Sequence, residues 1–374
     1  MKIKEVKDLK VAILIRNFDE SIGGAERYCV ELTRKLAQIL EVHVFCQRAQ
    51  SEVANINIHI VKNSFVKPRF LNQLSFSFST KQAVKNYNFD IVHSHDIVSH
   101  ANIYTIHVPC FKGGLSKSKG LIFYLKNLGV LLSPRKLTYL FLEKKTYDIN
   151  NLIISVSDLL SKNIQTNYPQ SWLPIIAPPG ITPNFCQTKI RDKPNGEIFS
   201  LLFVANGFLR KGLDVLIKSL ELLNDRNIKL VVIGNGNPRE INFTNACVEK
   251  NVTFIGKLDN IDKFYRSADL LVHPTKGDTF GMVVLEAMSF SLPVIVSNEN
   301  HCGISSYLSS SNSIVLNNHN NINELADNIK RLKDDTKLRE KISKNAFNFA
   351  TSFTWDNTLK LTLEAYNNFL KGKF

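Results

Sequence analysis

The chain has 374 residues, of which 44% are hydrophobic, and a formal net charge of +14 at pH 7. This length exceeds what one hydrophobic core usually serves and predicts about two domains. The composition is that of a globular protein, which excludes a disordered or fibrous chain. No apolar run is long enough to cross a bilayer, and the charged N-terminus does not have the features of a signal peptide.

The positive charge is concentrated in the first half of the sequence, where residues 1–180 hold 23 Lys and Arg against 13 Asp and Glu. A basic half attracts polyanions such as nucleic acid, anionic lipid or phosphorylated sugars, although a general Lys and Asn bias would also explain it. The six cysteines are scattered without a C-x-x-C pair. We therefore expect reduced thiols in a cytoplasmic protein, and neither a zinc site nor a disulfide framework.

Apolar strands alternate with amphipathic helices along most of the chain. The sequence predicts a strand over 9–15, followed by a helix with Ala25, Cys29, Leu32 and Leu36 on one face. Further strands and helices follow, among them a helix over 79–87, up to "IIAPPGIT". The prolines and glycine of this stretch predict a stiff turn and a domain boundary. The alternation restarts at "SLLFVAN" and continues to "PVIVS". Continuous β-branched strands separated by helices predict parallel sheets covered on both faces.

We therefore expect an α/β protein with two doubly wound, Rossmann-like domains that face each other. The first domain is predicted over residues 1–178 and the second over 179–353. A terminal helix is predicted over 354–374, with Thr354 as its N-cap and Trp355 at its first helical position.

In doubly wound sheets, ligands bind beyond the carboxyl ends of the strands, so the loops after the strands should carry the function. Gly23 and Gly24 open a helix whose N–H groups suit a phosphate, in a loop that is neither a dinucleotide fingerprint nor a Walker loop. Arg210 and Lys211 lie at the start of a later helix, where the positive end of the helix dipole disfavours cations. A diphosphate bound between them would remove this repulsion. The loop Gly256–Leu258 can offer backbone groups to a planar base. Each feature also has an ordinary explanation, as a tight helix entry, solvated surface cations or a plain turn.

The stretch "GDTFGMVVLEAM" places two carboxylates on either side of a glycine. A helix is expected to begin between Phe280 and Met282, with its first N–H groups directed at a ligand. Asp278 lies on the preceding loop, and Glu286 lies about one turn into the helix on the same side. The helix N–H groups can bind an anion, and the two carboxylates on either side can accept hydrogen bonds from hydroxyl groups. This arrangement predicts a site for a sugar–phosphate–ribose ligand.

These motifs together resemble the retaining nucleotide-sugar glycosyltransferases of family GT4. The resemblance covers nearly the whole chain and is carried, in order, by "GGAERY", "RKG", "GKL", "HPTKGDTFGMVVLEAMSFSLPVIVS" and the terminal "FTW" helix. It implies the GT-B fold, with the site in a central cleft and the terminal helix packed back on the first domain. "SNENHCGISSYL" and "LRKGLDVLIKSL" are similar in particular to lipopolysaccharide core glucosyltransferases that add glucose to heptose. The chain departs from the family at Asp278, where the family usually has Glu.

The resemblance implies roles for the matching residues. Catalysis is assigned to His107, Asp278, Arg210 and Lys211. Binding of the nucleotide-sugar donor is assigned to Gly23, Gly24, Arg210, Lys211, Gly256, Leu258, Asp278, Phe280, Gly281, Met282 and Glu286. Retention of configuration would follow from front-face attack, with the departing phosphate oxygen taking the proton of the acceptor. No metal is expected, because Arg and Lys neutralise the diphosphate in enzymes of this kind.

The histidines divide into candidates and structural residues. His107 matches the histidine near the reacting sugar, and His95, beside Asp96, is a weaker candidate. His93 and His273 are better explained as structural, although a His-x-His pair on a strand can also bind a metal.

The segment 111–145 interleaves the apolar clusters "LIFYL" and "LGVLL" with basic residues. This pattern suits contact with an anionic membrane surface, and it matches the region where such transferases meet a lipid-linked acceptor; the alternative is a core helix with a solvated basic face. The basic residues are Lys112, Lys117, Lys119, Lys126, Arg135 and Lys136.

The function expected is transfer of a hexose, glucose from UDP-glucose, to a sugar of a cell-envelope glycolipid in the lipopolysaccharide core. The enzyme would be cytoplasmic and peripheral on the inner face of the cytoplasmic membrane. One alternative is a nucleotide-sugar 2-epimerase of the same fold, and another is a different GT4 hexosyl or N-acetylhexosaminyl transferase. A nucleic-acid binder is disfavoured, because no stacking motif, zinc finger or helix-turn-helix signature accompanies the basic charge.

Overall fold

The computed structural model describes residues 9–62, 64–115, 133–181 and 198–372. The chain divides into two compact units. The first unit comprises residues 1–180 together with the terminal segment that begins at Trp355, and the second unit comprises Ile181–Thr354.

The first unit is built on a parallel sheet that has seven strands within the described residues. The strands of this unit are β1 (Lys10–Leu14), β2 (Asn17–Phe18), β3 (Glu41–Cys46), β4 (Arg48–Ala49), β5 (Ile56–Ile60), β6 (Ile91–Ser94), β7 (Ile103–Ile106), β8 (Leu152–Ser155) and β9 (Ile175–Ile176). Their spatial order in the sheet is β5-β3-β1-β6-β7-β8-β9, and β2 pairs separately with β4. The residues of the central strands are almost all buried, as a parallel sheet covered on both faces requires.

The helices of the first unit cover this sheet. They are α1 (Gly24–Leu36), α2 (Arg69–Val84), α3 (Phe111–Leu115), α4 (Pro134–Thr146) and α5 (Asp158–Asn167). Helix α1 buries Cys29, Leu32 and Leu36, the face that the spacing of apolar residues predicted. Helix α2 begins well before the helical segment predicted at 79–87. Ser and Phe alternate over residues 75–79 in the middle of this helix, a spacing that does not show the helical period.

The terminal helix (Trp355–Leu370) packs within the first unit, as the family resemblance implied. The Tyr366 hydroxyl lies 2.8 Å from His93 Nδ1, and the Trp355 ring packs edge-on against Tyr28 at 5.6 Å between centroids. Thr358 Oγ1 also donates to the carbonyl oxygen of Pro178 at 2.7 Å.

The second unit repeats the architecture with a parallel sheet that has six strands within the described residues. The strands are β10 (Phe199–Val204), β11 (Ile228–Ile233), β12 (Val252–Gly256), β13 (Leu270–His273), β14 (Val294–Ser297) and β15 (Ile314–Leu316). Their spatial order is β12-β11-β10-β13-β14-β15. Leu201, Leu230 and Val272 from three of these strands are fully or almost fully buried in one hydrophobic core.

The helices of the second unit are α6 (Leu213–Leu223), α7 (Ala246–Lys250), α8 (Asp262–Ser267), α9 (Met282–Ser289), α10 (Ile322–Asp334) and α11 (Thr336–Ala350), with 3₁₀ turns at Pro238–Glu240 and Gly303–Tyr307. The alternation of strands and helices confirms the predicted fold class, two Rossmann-like parallel α/β domains. Within the part of the chain that the structure describes, no helix is both long and apolar enough to span a membrane.

Candidate functional site

Each sheet has a point at which the order of its strands reverses. In the first unit β1 lies between β3 and β6, and in the second unit β10 lies between β11 and β13. The reversal lies between β1 and β6 in the first unit and between β10 and β13 in the second. The loops that leave these two strands diverge and open a crevice at the carboxyl edge of the sheet. In the second unit these loops carry Arg210, Lys211 and Asp278, so three of the predicted site residues lie at the switch point.

Asp278 is held by two neighbours at the same oxygen atom. Lys211 Nζ and His273 Nε2 both contact Asp278 Oδ2, the second at 3.0 Å. Lys211 is a buried lysine, with 8% of its surface exposed. His273 Nδ1 is buried and makes no hydrogen bond to the described residues, and a carboxylate can only accept. His273 therefore donates its single ring proton from Nε2 to Asp278.

Burial and neighbouring charges set the protonation of Asp278 and His273. Burial by itself would raise the pKa of Asp278, but the hydrogen bond from His273 and the charge of Lys211 outweigh it and hold that pKa below its ordinary value. Burial lowers the pKa of His273, with Asp278 opposing and Lys211 adding to the shift. At neutral pH Asp278 is therefore a carboxylate and His273 a neutral imidazole.

Backbone and side-chain bonds tie the loop after β10 to the loop after β13. Arg210 donates from its guanidinium to the carbonyl oxygen of Gly277 at 3.1 Å, and it accepts at its own carbonyl from the Lys276 N–H at 3.0 Å. Lys276 Nζ also pairs with Asp214 in the first turn of α6 at 2.8 Å. Arg210 uses one of its N–H groups in this way, and its side chain remains exposed to solvent.

The two helices that begin at this switch point have glycine N-caps without a capping side chain. Gly212 precedes α6 with φ +83°, and Gly281 precedes α9 with φ +99°. Residues other than glycine rarely adopt this backbone conformation. A Cβ atom would lie 1.9 Å from the Pro274 carbonyl oxygen at Gly212 and 2.7 Å from Cys302 Sγ at Gly281. In α6 the Leu213 N–H donates instead to the Phe208 carbonyl oxygen at 3.1 Å, and the Val215 N–H donates to the Gly212 carbonyl oxygen at 3.1 Å. The start of α9 is therefore the helix N-terminus that better suits an anion.

The backbone of the loop before α9 is fixed from its other side. The Asp278 N–H donates to the His301 carbonyl oxygen at 2.7 Å, and the Ile304 N–H donates to the Phe280 carbonyl oxygen at 2.6 Å. The Phe280 side chain is buried, and its ring lies 6.2 Å from that of Phe353. Phe280 can thus contact a ligand only through its backbone. Met282, at the first position of α9, is partly exposed.

Glu286 lies one turn into α9, and a buried tyrosine orients its carboxylate. The Tyr265 hydroxyl donates to Glu286 Oε2 at 2.8 Å, and the Tyr265 ring stacks on Phe290 at 5.3 Å between centroids. Gly256 and Leu258 are exposed at the carboxyl end of β12, which is separated from β10 by β11. Nothing in the local sequence links Tyr265 to Glu286, so this contact was not predicted.

The switch point of the first unit contains an ion pair that the sequence analysis did not predict. Arg16 follows β1 and Asp96 follows β6. The Arg16 N–H and Nε donate to the two carboxylate oxygens of Asp96 at 2.8 and 2.9 Å. The negative charge of Asp96 raises the pKa of Arg16.

Gly23 is the N-cap of α1 and has an extended backbone that any residue could adopt, with no capping side chain. A Cβ atom there would lie 3.1 Å from the carboxylate of Glu26, whose pKa is raised by burial. The first turn of α1, which begins at Gly24, therefore already contains an acid of its own. Gly23, Gly24 and His107 belong to the first unit, and the other predicted donor-site residues belong to the second.

His107 follows β7 and is partly exposed. Its Nε2 lies 3.0 Å from His95 Nδ1, and the Tyr28 ring packs against it edge-on at 5.0 Å. Burial lowers the pKa of His107 to about 4, against an opposing effect of Asp96, so the ring is neutral at neutral pH. His93 is fully buried, in line with its interpretation as structural. The similar interpretation of His273 overlooked its bond to Asp278.

The basic segment is described only in part. Lys117, Lys119 and Lys126 lie outside the described residues. Lys112 Nζ donates to the Asn167 carbonyl oxygen at 2.7 Å and lies 4.8 Å from the centre of the Tyr168 ring, so it is tied to the first unit.

Helix α4, which carries Arg135 and Lys136, presents apolar side chains to solvent. Leu137 is 42% exposed and Phe141 is 52% exposed. Arg135, Lys144 and Lys145 are also exposed, whereas Lys136 is partly buried. Leu137, Phe141, Lys144 and Lys145 share one side of the helix, whereas Arg135 lies at its start on another side. We call the exposed face with Leu137, Phe141, Lys144 and Lys145 the basic-apolar face of α4.

Family models match almost the whole chain in two parts. Residues 22–185 match the model described as Glycosyltransferase Family 4, and residues 187–349 match the model described as Glycosyl transferases group 1. An uncharacterized glycosyltransferase of Methanocaldococcus jannaschii is 25% identical over 92% of this chain and 94% of its own length. The lipopolysaccharide glucosyltransferase WaaG of Escherichia coli is 27% identical over 54% of this chain, a match that spans 57% of WaaG.

Solved structures share the fold. The crystal structure of WaaG superposes with a TM-score of 0.78 at 21% identity, over 95% of this chain and 98% of that one. The crystal structure of Anabaena HepE in complex with UDP-glucose has a TM-score of 0.69 at 17% identity, over 96% of this chain and 100% of that one. These structures and the two family matches lead to one conclusion: the chain is a GT-B glycosyltransferase that belongs to glycosyltransferase family 4.

Proposed function

We propose that this glycosyltransferase moves glucose from UDP-glucose, with retention of configuration, to a sugar of a cell-envelope glycolipid in the lipopolysaccharide core. The choice of sugar rests on the relatives: WaaG is a lipopolysaccharide glucosyltransferase, and HepE binds UDP-glucose. The match to WaaG spans about half of each chain, so both the donor and the acceptor belong to the proposal.

One observation supports the donor site: two cations, Arg210 and Lys211, lie at the switch point of the second unit, where α9 begins without a capping side chain. Lys211 is already neutralised in part by Asp278, whereas Arg210 bonds only a backbone carbonyl in the contacts described and remains exposed. We propose that the diphosphate of the donor binds to these two side chains and to the first N–H groups of α9. Negative charge on the leaving phosphate grows in the transition state, so these contacts strengthen as the bond breaks.

The two carboxylates of the motif then have separate tasks. Lys211 and His273 use Asp278 Oδ2, so we assign the hydroxyl groups of the transferred sugar to Asp278 Oδ1. Glu286, oriented by Tyr265, would accept hydrogen bonds from the ribose hydroxyls of the nucleotide. Gly256 and Leu258 would contact the base through their backbone groups.

The reaction we propose needs no metal cofactor, because Arg210 and Lys211 would supply the positive charge opposite the diphosphate. The bond between the anomeric carbon and the phosphate oxygen breaks, and the acceptor hydroxyl attacks from the same face. The hydroxyl proton passes to the departing phosphate oxygen, which accounts for retention without an enzyme nucleophile. Turnover that is unchanged by a chelator such as EDTA would support this part of the proposal, and loss of turnover that Mg²⁺ restores would contradict it.

The first unit would bind the acceptor, with His107 near the reacting sugar. The Gly23–Gly24 helix start would contact the phosphate of the donor. We assign the basic-apolar face of α4 to the anionic surface of the cytoplasmic membrane, on its inner face. Exposed Leu137 and Phe141 can enter the headgroup region while the neighbouring cations pair with anionic lipids. Nucleic acid is not a partner in this proposal.

Vesicle sedimentation tests the membrane assignment. We expect the protein to sediment with vesicles containing phosphatidylglycerol and to be released by salt, because surface attraction is screened. Phe141→Ser should weaken this binding, whereas Trp172→Ser, which changes another exposed aromatic residue of the first unit, should not. Equal binding to neutral vesicles would contradict the assignment.

The decisive assay for the function uses UDP-glucose labelled in the sugar. Transfer of label to heptose-terminated lipopolysaccharide, with an α-linkage seen by NMR, would support the proposal. Isomerisation of the UDP-sugar without any acceptor would instead establish the 2-epimerase alternative. Transfer only from another nucleotide sugar, or only to a different polysaccharide primer, would establish a different GT4 transferase.

A further inference from the structure

Three histidines of the first unit meet where two neighbouring strands end. His93 lies in β6, His95 directly after it, and His107 directly after β7. Both ring nitrogens of His93 have hydroxyl partners, Tyr366 at 2.8 Å and Thr105 at 2.7 Å. His95 is different, because its Nδ1 lies 3.0 Å from His107 Nε2 while its buried Nε2 makes no hydrogen bond to any described residue.

The unpartnered nitrogen indicates where the proton of His95 lies. Burial lowers the pKa of His95 well below its ordinary value and that of His107 to about 4, so both rings are neutral at neutral pH. One of the two rings must then supply the single hydrogen between them. A buried N–H without an acceptor is rarer in proteins than a bare acceptor, and leaving a donor unsatisfied costs folding free energy. The favoured arrangement places the His95 proton on Nδ1 and leaves a lone pair on Nε2.

We propose that His95 is a positioning residue that fixes His107 as the neutral tautomer protonated on Nδ1. The His95 Nδ1–H donates to His107 Nε2, and the two rings lie close to one plane, with 19° between them. The single proton of His107 is therefore on its other nitrogen. Under the proposed function, on which this inference rests, His107 offers a hydrogen-bond donor to an oxygen atom of the bound sugar and does not act as a base.

The surroundings of the pair hold this geometry in place. Tyr28 packs edge-on against the His107 ring at 71° and is anchored through its hydroxyl to the Ala177 carbonyl oxygen at 3.0 Å. The nearby carboxylate of Asp96 is engaged by Arg16 through two hydrogen bonds. Because Arg16 compensates the charge of Asp96, this carboxylate does little to favour an imidazolium at His107.

The tautomer can be observed directly in the full-length protein with ¹⁵N-labelled histidine. His107→Gln assigns the resonances of His107 by their disappearance, and His95→Gln does the same for His95. We expect His107 at pH 7.5 to show a protonated, pyrrole-type Nδ1 and an unprotonated, pyridine-type Nε2. A pyrrole-type Nε2, or an imidazolium with two protonated nitrogens, would overturn the inference.

Two substitutions at His95 separate positioning from plain packing. His95→Asn keeps an amide N–H near the place of Nδ1, and His95→Phe keeps an aromatic ring without a donor. We expect His95→Phe to mix the two tautomers of His107 and to lower kcat about 5- to 10-fold, the effect of one neutral hydrogen bond, with the donor KM within about twofold. His95→Asn should keep the tautomer and most of the activity.

An equal fall in kcat for both variants with the tautomer unchanged would show that His95 only packs, and would overturn the inference. If His95→Phe does not fold, the spectrum of the wild-type protein still decides. The proposed function can fail separately, because a wild-type protein with the expected spectrum but no transfer of glucose would contradict the reaction and leave the His95–His107 bond established.

Discussion

Lys211 and Asp278 form a partly buried ion pair that joins the loops after β10 and β13, the two strands on either side of the switch point of the second unit. His273 binds the same carboxylate oxygen. Asp278 stands where the family usually has Glu, and its short side chain already reaches both partners. The acid therefore has a structural task, holding Lys211 in place, as well as the sugar contact that we propose.

Removing the charge of Asp278 should affect both stability and turnover. In Asp278→Asn the ammonium of Lys211 stays buried without its counter-ion, and we expect unfolding to require about 3 kcal/mol less free energy. We expect kcat/KM to fall by about 100-fold, since the cation that faces the leaving group is no longer held. Denaturant unfolding and initial rates measure the two effects.

Asp278→Glu is the matched control, because it keeps the charge and restores the residue usual in the family. It should lose less stability than Asp278→Asn and keep more of the activity. An Asn variant as stable and active as the wild type would contradict the role of the ion pair.

Tyr265→Phe removes only the hydroxyl that orients Glu286 and keeps the stacking on Phe290. We expect the KM for the nucleotide sugar to rise about fivefold, because one hydrogen bond of about 1 kcal/mol no longer positions the carboxylate. The free energy of unfolding should fall by less than it would if the buried ring were removed. A variant with unchanged KM, while Glu286→Gln is impaired, would show that Glu286 does not depend on the tyrosine.

The glycine at the start of α9 is required by conformation and by space. Gly281→Ala would place a Cβ atom 2.7 Å from Cys302 Sγ at φ +99°, so we expect a loss of about 1–3 kcal/mol in the free energy of unfolding. Gly277→Ala is the control in the preceding loop, because no heavy atom lies within 4 Å of the position its Cβ would take. Calorimetry should separate the two variants, and equal melting temperatures would contradict the packing around Gly281.

The buried histidines of the first unit should make it sensitive to acid. Burial lowers the pKa of His93 to about 3 and that of His107 to about 4, from an ordinary value of 6.5. Their contribution to stability is complete above pH 6.5, and it decreases as the pH falls towards these folded-state values, since the unfolded chain then binds more protons. Each histidine should add about 1.4 kcal/mol per pH unit to the slope.

Tryptophan fluorescence measures this slope selectively, because both tryptophans of the chain, Trp172 and Trp355, belong to the first unit. Denaturant unfolding between pH 7 and pH 5 should give a shallower dependence for His107→Gln than for the wild type. Identical slopes would mean that His107 is protonated equally in the folded and unfolded chain.

The sequence alone was sufficient for the fold, since strong alternation of apolar strands and amphipathic helices is a local pattern. It failed at α2, whose alternating Ser and Phe conceal the helical period. The contacts of the site depend on residues that are distant in the chain. Tyr265 and Glu286 are 21 positions apart, and Arg16 and Asp96 are 80 apart, so no local pattern could pair them. Asp278 was predictable as a site residue, but its bond to His273 depends on the path of the loop after β13.

The central claim is that Arg210, Lys211 and the N-terminus of α9 bind the diphosphate of a nucleotide sugar. Calorimetric titration of UDP, with GDP and ADP for comparison, tests it most directly in the wild type, in Lys211→Gln, and in Lys218→Gln, an exposed control on α6, the helix that follows Lys211. We predict that UDP binds most tightly of the three and that only Lys211→Gln weakens it, by about tenfold or more, as expected for a hydrogen bond to a charged group. Equal affinity in all three proteins, or no binding of any nucleotide diphosphate to the wild type, would contradict the account.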